Sequence, residues 1–158
     1  MPKPIFTHQG TDPDDYILVD GQKDWAIIPS NTLKGQRTDT PIRLRVGNDN
    51  YGEKHINLRH KGWLMKKRRT VPELVWEKLS LNGGVFFKDP KKNRTNLYVK
   101  IDPTAYLVME RHQCKIDKSW FFSVVTMFPK AAPKDLVELG KYQSNFCNPL
   151  ANRALRRG

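Results

Sequence analysis

Trp120-Phe-Phe-Ser-Val-Val-Thr-Met-Phe128 is the stretch whose reading decides the fold. It is the most apolar run of the chain, rich in aromatic and β-branched residues and closed by Pro129, and reads as a strand near the centre of a sheet. Its polar residues Ser123 and Thr126 lie three apart, so a regular strand sends them to opposite faces. Working upstream, Val85–Lys88, Asn96–Ile101 and Tyr106–Arg111 have the same composition, each bounded by Gly, Pro, Asn or Asp. Four consecutive strands with short connections predict an antiparallel meander. Leu97, Val99 and Ile101 alternate with Tyr98 and Lys100, which puts Lys100 on the more polar face.

Helices are expected ahead of this sheet. Thr70 followed by Val71, Pro72 and Glu73 has the form of a capping box, and Glu73–Leu79 continues as a short helix ended by Asn82-Gly83-Gly84. Before it, Gly52–Arg69 (GEKHINLRHKGWLMKKRR) reads as a helix from about Glu53, bent at Gly62. Pro41–Val46 predicts a strand with Ile42, Leu44 and Val46 inward and Arg43 and Arg45 outward. Asp20-Gly21 between Tyr16–Val19 and Trp25–Ile28 signals a hairpin, and Lys134–Lys141 a last short helix. The expected fold is α+β, with N-terminal helices packed on a four-stranded antiparallel β-sheet. Residues 1–39 form an N-terminal extension, 40–130 the core, and 131–158 a basic C-terminal tail.

A net charge of +12 points to a polyanionic partner, most simply a nucleic acid. The densest positive cluster is Lys61, Lys66, Lys67, Arg68 and Arg69, with Lys88 and Arg94 further on. The two cysteines, Cys114 and Cys147, have no zinc-ligand spacing and read as buried thiols or, in an oxidising compartment, a disulfide. No run has the length of a membrane span, and the start lacks the apolar core of a signal peptide. Phosphate-cradling, zinc-protease and serine-hydrolase motifs are missing.

The histidine segment carries the chemistry in this reading. His55 falls in the first helical turn, where free backbone N–H groups can hold a phosphate, and Arg59 lies one turn on, on the same face. The alternative is a solvated basic face. His8 and His112 are given no role, and Glu110 is a minor alternative base.

TPIRLRVGNDNYGEKHINLRH together with SWFFSVVTMFPK resembles the phage nuclease branch of the barnase, EndoU, colicin and RelE-like superfamily, over roughly residues 40–130. GEKHINLRH and VVTMFP stand in the order that such proteins show. The resemblance implies a metal-independent ribonuclease of toxins and phages, using no cofactor, with His55 as principal catalytic residue and Thr126 as a phosphate-side partner. His60 matches a second histidine slot; Lys88, Arg94 and Lys100 compete for the main cation. Attack of the ribose 2′-OH on phosphorus, giving a 2′,3′-cyclic phosphate, needs a base, an acid and cations. His55 serves as base or acid and His60 in the complementary role, Arg59 and Lys100 stabilise the charge, and Thr126 donates to a nonbridging oxygen or orients an imidazole.

The expected partners are RNA and an acidic immunity or antitoxin protein, with no membrane and a monomer when free. The site of action is the bacterial cytoplasm, reached from a phage particle or a secretion system. The competing expectation is a noncatalytic nucleic-acid-binding or virion structural module, to which the charge applies equally.

Overall fold

The computed structural model describes residues 4–89, 93–100, 105–129 and 137–144. Among them are nine strands and two helices: β1 (Phe6–His8), β2 (Tyr16–Val19), β3 (Ala26–Ile28), β4 (Thr40–Arg45), α1 (Gly52–Lys67), α2 (Val71–Leu79), β5 (Gly84–Lys88), β6 (Arg94–Val99), β7 (Ala105–Gln113), β8 (Trp120–Phe128) and β9 (Glu138–Tyr142). The strands form one mixed sheet in the order β1-β2-β4-β8-β7-β6-β5-β9, with β3 also paired to β4.

This corrects the expected fold class. The runs β5 to β8 do pair in sequence as antiparallel neighbours. They are only the middle of a larger, mostly-sheet fold, not a four-stranded sheet beneath N-terminal helices. β4 lies parallel to β8, with Ile42 opposite Phe122 and Arg43 opposite Ser123. A parallel pair needs a long crossover, and the excursion through α1, α2 and β5–β7 supplies it.

The N-terminal extension also joins the sheet. Asp20 and Gly21 both take positive φ, 49° and 79°, and close a tight turn between Val19 and Gln22. The flanking strands then part, because β2 and β3 each pair with β4, at its C-terminal and N-terminal halves. Downstream, Glu138–Tyr142 is a strand on β5 rather than the end of a helix; the rest of the expected 134–141 helix lies largely outside the described residues.

One face of the sheet carries the core. Ile42, Leu44, Phe122, Val124 and Leu107 pack against Ile56 and Leu64 of α1 and Leu74, Val75 and Leu79 of α2. Each such buried aliphatic side chain contributes roughly 1.5–3 kcal/mol. α2 starts as the sequence predicts: Thr70 Oγ1 accepts from the Glu73 backbone N–H at 3.2 Å, and the Glu73 carboxylate accepts from the Thr70 N–H at 3.0 Å. α1 is bent at His60 (φ −127°, ψ 25°), not at Gly62. No helix among the described residues is long and apolar enough to cross a membrane.

The opposite face is not a solvated arginine surface. Arg43 and Arg45 keep 3% and 7% exposure. Arg43 Nε donates to Asp24 at 2.6 Å, and its guanidinium sits over the rings of Tyr16 and Phe121. Buried cations need such partners, and the N-terminal segment brings them.

Candidate active site

An open cavity of about 710 Å³ lies on this second face, walled by Asp14, Tyr51, Arg45, Arg94, Glu110 and His112 among others. Pairing register assembles its floor. Glu110 on β7 stands opposite Arg94 on β6 and Ser123 on β8, so three side chains from three strands share one row. Glu110 Oε2 accepts from Arg94 Nε at 3.1 Å. Its other oxygen, Oε1, lies 2.7 Å from His112 Nε2, two residues along the same strand and therefore on the same face.

Arg45 of β4, two residues beyond Arg43 in the register, reaches the row with its side chain. Its Nε donates to Ser123 Oγ at 2.8 Å and its Nη1 to Asp14 Oδ1 at 2.9 Å. Its guanidinium stacks 4.2 Å from the Tyr51 ring centroid, and the Tyr51 hydroxyl donates to the same Asp14 oxygen at 2.7 Å. The loop between β4 and α1 makes this approach possible. A Cβ on Gly47, whose φ is +78°, would fall 1.9 Å from the Tyr51 carbonyl, so only glycine permits the turn that returns Tyr51 to Arg45.

These contacts bias the protonation states. Burial, and next the Arg45 charge, lower the His112 pKa against an opposing pull from Glu110, which favours a neutral ring. Burial and then the bond to Asp14 push Tyr51 up to about 12, so its hydroxyl stays protonated. Asp14 is lowered, chiefly by the Tyr51 hydroxyl and against the effect of burial. Cys114, a buried free thiol on the cavity wall, is lowered first by the Asp117 backbone N–H. Cys147 lies outside the described residues.

The residues expected from sequence fall in three places. His55, Arg59 and His60 sit together on α1 and do not line the cavity. His55 Nδ1–H donates to the Asp49 carbonyl at 2.8 Å, which leaves Nε2 as the acceptor of the neutral ring. His60 occupies the packing stripe of α1 between Ile56 and Leu64; burial, then the charges of His55 and Arg59, lower its pKa. Lys61, Lys66, Arg68 and Arg69 are exposed along the same helix and its end, with Lys67 half-buried among them. Arg69 pairs with Glu77 at 3.0 Å. Lys88 and Lys100 are exposed near the ends of β5 and β6, apart from the cavity. Of the expected residues, Arg94 and the minor alternative base Glu110 are on the cavity wall.

Thr126 is a special case. The register slips between Val108 and Met109, which face Thr126 and Val124, so Val125 is an extra residue in β8. The bulge cancels the odd spacing and puts Ser123 and Thr126 on the same face, one row apart, contrary to the regular-strand expectation. Thr126 Oγ1 is buried and has no hydrogen-bond partner among the described residues.

His112, Arg45, Tyr51 and Asp14 were not expected in a site. The Glu110-x-His112 spacing in a strand was the available signal for the first, but the expected strand stopped at Arg111, one residue short, whereas β7 runs to Gln113. Among the described residues no group of three or more His, Cys, Asp or Glu could hold a metal ion. Comparison with known proteins leaves this geometry to stand alone: no family model matches the chain, and no match was found among curated proteins or solved structures.

Proposed function

We propose that the protein is a metal-independent endoribonuclease that cleaves RNA by attack of the ribose 2′-OH on the adjacent phosphorus, leaving a 2′,3′-cyclic phosphate. The observation that carries this reading is the Glu110–His112 pair, 2.7 Å apart on the wall of an open cavity with Arg94 and Arg45 beside it. Both Glu110 oxygens are engaged, one by His112 and one by Arg94, so the carboxylate orients rather than abstracts. With Nε2–H donated to Glu110, Nδ1 of the neutral ring is free to take the 2′-OH proton. Arg45 and Arg94 hold the charge that builds on the phosphorane. Tyr51, protonated on the same wall, turns its hydroxyl from Asp14 to the departing 5′-oxygen and gives it the proton.

The net charge of +12 supports a polyanionic substrate. The same field would receive an acidic inhibitory protein.

The test is incubation of pure protein with total RNA in excess EDTA, with analysis of the new 3′ ends. Cleavage should survive chelation, leave cyclic phosphates, and fall about 10²- to 10⁴-fold in His112→Ala. His55→Ala should cleave normally. Undiminished cleavage by His112→Ala would remove the site assignment. Intact RNA with salt-sensitive binding would support the noncatalytic module instead.

A further inference from the structure

A second cavity, of about 440 Å³, opens between the loop at residues 33–40 and the ends of β6, β7 and β8. It lies on the sheet face opposite the Glu110–His112 pair. Arg111 stands between those two residues on β7, so its side chain points the other way, into this cavity. Lys34, Arg37 and Arg111 contribute three cations to its wall, and no Asp or Glu stands among the described residues that line it. Thr38 and Thr95 add hydroxyls.

The cavity also has a flat apolar element. Trp120, the first residue of β8, keeps 45% exposure, whereas Trp25 and Trp76 are buried in the core. The Arg111 guanidinium lies 4.4 Å from its ring centroid. An exposed indole braced by a guanidinium offers a stacking surface to a planar ring, while cations with no carboxylate among the described residues of the wall attract an anion. Its volume is in the range of small-ligand clefts, roughly 300–1,000 Å³.

We infer that this cavity is a nucleotide-binding site for a single-stranded stretch of the RNA substrate, with one base on Trp120 and its phosphate on Lys34, Arg37 and Arg111. The identification of the strand as substrate rests on the nuclease reading. The base-stacking and phosphate-binding chemistry does not. The turn joining β7 to β8 separates the two cavities: its residues Cys114, Lys115 and Ile116 line the first, and Trp120, which follows it at the start of β8, lines the second. A strand reaches both sites by passing round this turn.

The experiment uses the full chain and a short fluorescent oligothymidylate, which lacks the 2′-OH and so cannot be cleaved by 2′-OH attack. Binding is read by anisotropy, with circular dichroism as the check on folding. Trp120→Ala should weaken binding about 5- to 150-fold and Trp120→Phe only slightly, since stacking needs a ring rather than an indole. Arg37→Ser and Arg111→Ser should each weaken binding and flatten its dependence on log salt by about 0.7. Unchanged affinity in folded Trp120→Ala, or in both arginine variants, overturns the inference. Thymidine monophosphate binding as tightly as the oligomer would also overturn it, because the site would then serve a free nucleotide. If RNA is never cleaved yet oligothymidylate binding depends on Trp120, the nuclease reading fails and this binding site stands.

Discussion

Arg45 and Ser123 are 78 residues apart in sequence and joined by a 2.8 Å hydrogen bond from Nε to Oγ across the face of the sheet. Ser123 is fully buried and Arg45 nearly so. The contact ties the N-terminal strands to the meander at the floor of the cavity. Ser123→Ala leaves a buried, charged N–H without its acceptor, which costs about 1–3 kcal/mol. Urea denaturation should show the loss as a lower midpoint with unchanged slope. A loss well below that range would mean that Arg45 is satisfied elsewhere.

His112 links stability to pH. Its folded pKa is lowered from the ordinary 6.5, so between the two values the unfolded chain binds more protons than the folded one. Its contribution is therefore present above about pH 6.5 and is lost as pH falls through the folded pKa. His60 is lowered in the same direction, so the wild type has two such groups. His112→Ala should lose stability less steeply than wild type on acidification from pH 6.5. Arg45→Gln removes the second-largest cause of the lowering, and the His112 ring should then titrate at higher pH by NMR. A downward movement would contradict the electrostatic argument.

What was legible in the sequence, and what was not, follows the range of the interactions. β8 was readable because aromatic and β-branched density is local, and α2 because Thr70 and Glu73 are only three apart. Arg43 and Arg45 were misread because alternation alone cannot distinguish a solvated face from a buried one. Their carboxylate partners, Asp24 and Asp14, come from 19 and 31 residues away. The bulge at Val125 leaves no compositional trace, although it decides which face Thr126 occupies. The Glu110–His112 pair was visible as a spacing, yet its value depends on Arg94 and Arg45 arriving from other strands.

The helix cap provides a prediction away from the site. Thr70 and Glu73 satisfy two backbone N–H groups at the start of α2, whose Leu74, Val75 and Leu79 pack into the core. Thr70→Ala should destabilise the fold by about 1 kcal/mol, measured by chemical denaturation. Thr70→Asp should retain most of that stability, because Asp also caps and favours the positive helix end. Equal losses in the two variants would show that the hydroxyl's effect is not capping.

Thr126→Val separates the geometric site from the one that the family resemblance implies. Valine keeps the shape of threonine and removes a buried hydroxyl that has no partner among the described residues. Removing an unpaired buried polar group is neutral to stabilising, here by up to about 1 kcal/mol. Because Thr126 does not line the Glu110–His112 cavity, cleavage should stay near the wild-type rate. Thermal denaturation and single-turnover cleavage on the same preparation read both effects. A variant at least as stable as wild type with normal cleavage takes the Thr126 hydroxyl out of the chemistry. Cleavage reduced a hundredfold or more at unchanged stability would mean that the orphan hydroxyl finds its partner in the substrate, and would return Thr126 to the reacting phosphate.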